Sequence, residues 1–273
     1  MSKKEIYAAY DIQYKNEKIL SPLGWIPELL TIGTNTKVGD AATYSQWHGN
    51  NVLSKEAFGE KVQAVMESAG IDEIKGSCPC HCPECYCDKG RYNYDNNKAS
   101  AIRKLLLVRI CPEFVENAIT AQIKADGIEQ CRIHAQGDFD SNRNCDIWVN
   151  VANSCPDTLF WTYTKNEYAL KVFRKIKNIK ITPSITPYGF NFGTCSEILD
   201  LYSKLTRDGY RAHICACGTK YQKHCSDCKH GCKAIETECD YVLFIQHSGK
   251  YKAGKEDPDD FEKVCDIIAE QEN

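Results

Sequence analysis

Five cysteines stand within ten residues in Ser77-Cys78-Pro79-Cys80-His81-Cys82-Pro83-Glu84-Cys85-Tyr86-Cys87, and Cys78, Cys82 and Cys85 form a C-x3-C-x2-C triplet. A structural zinc site or a closed ferredoxin-type cluster takes four protein ligands. Three thiolates at this spacing can hold an iron–sulfur cube and leave its fourth iron open to another ligand, where chemistry can happen. Cys80 and Cys87 also permit a rival set in which Cys80, Cys82, Cys85 and Cys87 surround zinc. A second window runs Cys215-Ala216-Cys217, then Cys225-Ser226-Asp227-Cys228-Lys229-His230-Gly231-Cys232. There Cys225, Cys228 and Cys232, with Cys215 or Cys217, suit either a second 4Fe–4S cluster or a zinc ribbon. His81, His224 and His230 lie among the thiols as spare ligands. Lys220, Lys223, Lys229 and Lys233 either offset cluster charge, meet a phosphate or form a solvated loop. They lack the aromatic interleaving of a nucleic-acid strip.

Seventeen cysteines in 273 residues are an odd number, so disulfides cannot pair them all. The N-terminus has no apolar stretch of the signal-peptide kind, and no apolar run approaches the roughly 20 residues of a membrane span. The expected setting is therefore cytoplasmic, without a membrane partner, and disulfides rarely persist there. Two windows of clustered thiols in such a setting mean metal. The scattered cysteines (Cys111, Cys131, Cys145, Cys155, Cys195, Cys239 and Cys265) read mostly as buried thiols acting as small hydrophobes. A hydrophobic content of 42% suits a globular chain, and a net charge of −3 gives no global field toward nucleic acid or anionic lipid.

The elements that must position these groups alternate. Residues 98–125 read as two helices divided at Cys111-Pro112, because the residue before proline disfavours the helical region. Strands are expected at 131–135, 158–163, 179–185, 210–214 and 241–246. Helices are expected from Asp140 or Ser141 through Val151, then at 166–175 and 196–206 and at the C-terminus. Strands separated by helices of about ten residues imply βαβ units and a parallel sheet. Residues 1–75 read as loops around a short strand or two before a helix near 54–69. The expected organisation is an N-terminal extension over 1–75, a βα core with the cysteine motif over 76–214, a cysteine-rich metal-binding segment over 215–240, and a last strand and helix over 241–273.

Ligands of parallel α/β sheets bind at the C-terminal strand ends. That rule selects His134, Gln136, Gly137 and Asp138, then Tyr163, Thr164 and Lys165, then Ser184 and Thr186, then Cys215 and Cys217. His134 is either a proton donor or ligand, or a satisfied core residue. Asp138 is either a cofactor ligand or the N-cap of the next helix. Tyr163 and Lys165 either contact substrate or belong to the core, as aromatic strand ends usually do, and Trp148 reads as core.

The triplet resembles the cluster motif of radical S-adenosylmethionine enzymes. That resemblance implies a partial (β/α)6 barrel-like parallel sheet, here with a cysteine-rich C-terminal metal-binding insertion. It also implies a 4Fe–4S cluster on Cys78, Cys82 and Cys85, with S-adenosylmethionine on the open iron. Reductive cleavage of that cofactor gives a 5′-deoxyadenosyl radical that abstracts hydrogen from a substrate. Gly137-Asp138 matches the family's cofactor-binding motif after the second strand, with aspartate replacing glutamate. Ser184 is a further cofactor-binding candidate at a strand end. Glu84 stands where an aromatic is usual, and Tyr86 shields the cluster or stacks near adenine instead.

More narrowly, the chain resembles the phage gene-product-88 family. The resemblance rests on Ile32-Gly33-Thr34-Asn35-Thr36-Lys37-Val38-Gly39, the run closing in Cys85-Tyr86, Arg132-Ile133-His134-Ala135-Gln136-Gly137-Asp138-Phe139, Trp148, and Phe160-Trp161-Thr162-Tyr163-Thr164-Lys165, and the late cysteine cluster completes it, so that it spans residues 32–232. A phage protein in the host cytoplasm is implied. Its expected partners are an electron donor and a substrate that is a nucleotide, a nucleic-acid base or a peptide. The competing expectation is a non-catalytic zinc- or Fe–S-stabilised protein that binds nucleic acid or a host protein.

Overall fold

The computed structural model describes residues 1–33, 41–49, 51–79, 85–88, 90–215, 239–245 and 258–272. The chain divides into two compact units, Met1–Ile32 with Ala41–Ile179, and Gly33–Asp40 with Lys180–Asn273.

In the first unit, α1 (Lys3–Ala8) starts at Ser2, whose hydroxyl accepts from the Glu5 N–H while the Glu5 carboxylate accepts from the Ser2 N–H. This reciprocal cap satisfies two orphan donors. An antiparallel meander of β1 (Tyr14–Lys15), β2 (Lys18–Ser21) and β3 (Gly24–Pro27) follows. After β4 (Ala42–Thr43), an antiparallel pair of β5 (Leu53–Ser54) and β6 (Glu73–Ile74) brackets α2 (Glu60–Ser68). Next come α3 (Asp95–Ile110) and α4 (Pro112–Asp126). Cys111 alone separates them, because Pro112 has no N–H for the α3 ladder but fits the first turn of α4.

Alternation then takes over with β7 (Gln130–Arg132), α5 (Asn142–Ser154), β8 (Leu159–Thr164), α6 (Glu167–Phe173) and β9 (Ile179–Pro183). The sheet runs β4-β7-β8-β9, and the β4/β7 and β7/β8 pairs are parallel, with Ala42 opposite Cys131 and Cys131 opposite Phe160. Trp47, Val62, Val65, Met66, Ile74, Ile102, Leu105 and Leu106 form one core cluster of this unit. Ile147, Trp148 and Val151 bury the face of α5.

In the second unit, β10 (Ile185–Thr186) and β11 (Gly189–Phe190) form a hairpin. Then come β12 (Phe192–Gly193), α7 (Cys195–Arg207), β13 (Ala212–Ile214), β14 (Tyr241–Ile245) and α8 (Pro258–Glu272). The strand order is β12-β14-β13, all parallel. Ile198, Leu201 and Leu205 of α7 pack with Ile214, Leu243, Ile245, Val264 and Ile268.

The parallel α/β class holds in both sheets, but the expected barrel is not formed by the described residues. A barrel of successive βα units pairs each strand with its predecessor. Here the strands divide between two sheets, and β14 inserts between β12 and β13. The stretch of chain 215–240 is long enough for the crossover that a parallel neighbour requires. Residues 216–238 of the cysteine-rich segment lie outside the described residues. Among the described residues, no helix is long and apolar enough to cross a membrane.

Candidate functional site

Beyond their regular ends, β4 and β7 stay paired. The Ala135 N–H donates to the Tyr44 carbonyl at 2.7 Å, and the Gln46 N–H to the Gln136 carbonyl at 2.9 Å. The chain before the first cysteine is threaded against these strand ends through two glycines. A Cβ on Gly137 (φ 85) would meet Ser77 Oγ at 2.5 Å and the Gln46 carbonyl oxygen at 2.6 Å. A Cβ on Gly76 would meet the Gly49 carbonyl oxygen at 2.2 Å. The Ser77 N–H and hydroxyl both donate to the Trp47 carbonyl, at 2.8 and 2.9 Å. The Asp138 N–H donates back to Ser77 Oγ at 3.1 Å. Arg109 of α3 braces the same junction, donating to the Asp140 carboxylate and the Lys75 carbonyl, each at 2.9 Å.

At this junction His48, following β4, is buried between two partners. Its Nε2 lies 2.8 Å from Asp88 Oδ1, and its Nδ1 lies 2.9 Å from Gln136 Nε2. With the amide donating to Nδ1, the imidazole proton sits on Nε2 and points to Asp88. Cys85 completes the cluster: its sulfur, a His48 ring nitrogen and an Asp88 carboxylate oxygen all lie within 4.8 Å of one another. Hydrogen bonds from the Cys87 thiol, then from its backbone, hold the Cys85 thiol down at about 6; His48 assists, against burial and the Asp88 charge. Cys85 is thus a thiolate at neutral pH, the form that ligates metal. None of the described cysteines forms a disulfide.

Asp138 is fully buried behind this junction. Its carboxylate accepts from the Phe139 N–H at 2.8 Å, the Lys165 N–H at 2.9 Å and the Thr164 hydroxyl, with Lys165 Nζ at 3.6 Å. Burial raises its pKa, and Lys165, Thr164 and the two N–H groups oppose that rise. These contacts tie the end of β7 to the end of β8. The helix-cap alternative for Asp138 is corrected: Ser141 caps α5 through the Asn144 N–H, and the Asp138 carboxylate turns to β8.

His134 takes a left-handed φ of 54, and its ring meets the rings of Phe139 and Tyr44 edge-on at 4.4 and 5.8 Å. Among the described residues, neither ring nitrogen has a hydrogen-bond partner. Burial pushes its pKa down to about 3, against Asp140 and the Gln136 backbone. It is a neutral core residue, although an unsatisfied one.

Of the sequence-selected residues of the first unit, Gly137 and Asp138 meet Ser77, the residue before Cys78, and Cys85 groups with His48, whose ring meets Gln136. Tyr86 opens the 3-10 turn Tyr86–Asp88. Ser184, its carbonyl accepting from the Asn191 N–H, belongs to the second unit. So does Cys215, whose N–H donates to the Leu243 carbonyl. Cys82, Cys217, Cys225, Cys228 and Cys232 lie outside the described residues. The sequence reading missed His48 and Asp88 altogether. The available signal was the position of His48 just past a strand end, at the rim where ligands bind.

Residues 33–187 match the family described as Gene product 88. Nothing matches among the curated proteins or among the solved structures. The matched span holds β4, the first cysteine window, the Gly137-Asp138 turn and β8, and it leaves out the second cysteine window.

Proposed function

We infer from the site of this chain, which belongs to the gene product 88 family, that it is an iron–sulfur enzyme of the radical S-adenosylmethionine type. The observation that carries this reading is the bond from the Asp138 N–H to Ser77 Oγ. It sets the residue before Cys78 against the turn that follows the second strand of a parallel sheet. Cys78 and Cys85, both half-buried thiols, would hold a 4Fe–4S cluster with Cys82, and three thiolates are a donor set that suits iron–sulfur. When bound, the cluster would supply the electron that cleaves S-adenosylmethionine.

The chain's own residues position and exclude. Gly137 lets backbone approach where any side chain would collide. An ammonium group arriving at Asp138 would compete with Lys165 Nζ, whose 3.6 Å contact is the longest on that carboxylate. Tyr86 is proposed as a further cofactor contact. Cys215, Cys217, Cys225, Cys228 and Cys232 are proposed to hold a second cluster or zinc. An electron donor and a nucleotide, nucleic-acid base or peptide substrate complete the proposal.

The test is electron paramagnetic resonance of anaerobically reconstituted, dithionite-reduced protein. A 4Fe–4S signal that shifts on adding S-adenosylmethionine is expected, and its loss in Cys82→Ala. An iron-free spectrum from fully metal-loaded protein would overturn the reading. A second reading would then stand, favoured by the mixed nitrogen, sulfur and oxygen donors of His48, Cys85 and Asp88. It is a zinc-stabilised phage protein that binds nucleic acid or a host protein.

A further inference from the structure

We propose that Cys85, His48 and Asp88 form a mononuclear site for a divalent transition-metal ion, zinc or iron(II), built without Cys78 or Cys82. The three donors come from two places in the chain, His48 from the segment that follows β4, and Cys85 and Asp88 from the start and end of the 85–88 segment that holds the 3-10 turn Tyr86–Asp88, and they converge within 4.8 Å of one another. Metal bonds of about 2.3 Å to sulfur and about 2.0 Å to nitrogen or oxygen separate donors on one tetrahedral ion by about 3.5 Å. A triangle of this size therefore closes on one ion with small side-chain adjustments. Donors on different irons of a cube point apart and stand wider.

Charge and tautomer agree with a single ion. As ligands, one thiolate, one carboxylate and one neutral imidazole balance a divalent charge, so the loaded site carries no net charge. The ion takes the place of the proton that now lies between His48 Nε2 and Asp88 Oδ1, 2.8 Å apart. That proton moves to Nδ1. Gln136, itself buried, faces Nδ1 at 2.9 Å, and turning its amide over presents the oxygen that accepts it. This is the outer partner that fixes ring orientation in metal sites. Cys87 keeps its hydrogen bond to the Cys85 sulfur. Three protein ligands leave a fourth position for water, the arrangement of catalytic rather than structural zinc. The inference goes beyond the cluster reading and does not rest on it: ion and cluster compete for Cys85 and share no other donor.

The experiment uses the full chain with Cys78→Ser and Cys82→Ser, and with Cys217, Cys225, Cys228 and Cys232 likewise replaced by serine to remove the second window, made metal-free under anaerobic conditions and titrated with cobalt(II) in the absence of sulfide. One equivalent with a thiolate-to-cobalt band and tetrahedral visible bands is expected to persist in this background. His48→Gln added to it should remove that equivalent, and Gln136→Leu should weaken it about 10–100-fold. Equal cobalt uptake with and without His48→Gln overturns the proposal. Should a variant fail to fold, X-ray absorption of the zinc-loaded parent reads the site directly, with imidazole scattering in the zinc shell expected and its absence overturning the site. Because the cluster of Cys78, Cys82 and Cys85 cannot form in this background, the outcome is independent of the paramagnetic resonance test.

Discussion

Two histidines at neighbouring strand ends have opposite surroundings. His48 has a polar partner on each ring nitrogen, whereas neither nitrogen of His134 has a hydrogen-bond partner among the described residues. The consequence for His134 can be measured. Its folded pKa, about 3, lies below the ordinary 6.5. Between those values the unfolded chain takes up a proton that the folded chain refuses, so stability falls as the pH is lowered, by up to about 1.4 kcal/mol per unit. His134→Phe keeps the ring packing and removes the titration. Urea unfolding at pH 7 and pH 5 should show the loss on acidification reduced by about 2 kcal/mol in the variant; an unchanged loss would refute this account. Residue-scale legibility was uneven for a physical reason. Gly137-Asp138 announces itself within one strand-turn segment. The metal-binding potential of His48 depends on Cys85, Asp88 and Gln136, and no local pattern joins those positions.

At the scale of elements, local chemistry was readable wherever it decides the outcome. Pro112 divides α3 from α4, Ser141 caps α5, and the β-branched and aromatic run of β8 is a strand. Helix α1 and the β1-β2-β3 meander were not read, because elements this short carry too few periodic positions. The glycines supply an element-scale test. At Gly127 (φ 60), which ends α4, a Cβ meets open space, so Gly127→Ala should cost about 1 kcal/mol of backbone strain. At Gly137 the same change adds collisions with Ser77 Oγ and the Gln46 carbonyl. Gly137→Ala should therefore cost clearly more, about 3 kcal/mol including its strained φ. Urea midpoints of the two variants check the ranking, and equal midpoints would mean that the β4–β7 junction yields without resistance.

On the scale of the whole molecule, alternation of strands and helices gave the parallel class but could not give strand order, since periodicity is blind to which strands pair. Each unit has a core of its own, and Leu205 is fully buried in the second. Leu205→Ala should cost about 2–5 kcal/mol there. Hydrogen exchange should read this as faster exchange at the amides of β13 and β14, with β7 and β8 protected as before; equal acceleration in both sheets would show one cooperative unit instead of two. The order β12-β14-β13 also bears on how the chain is made. The four-stranded sheet runs in chain order, so a ribosome delivers each strand to a neighbour already present. In the second sheet the central strand is delivered last, and β12 and β13 must wait with open edges until it emerges. The emergence of β14 therefore decides whether that half of the protein folds or aggregates.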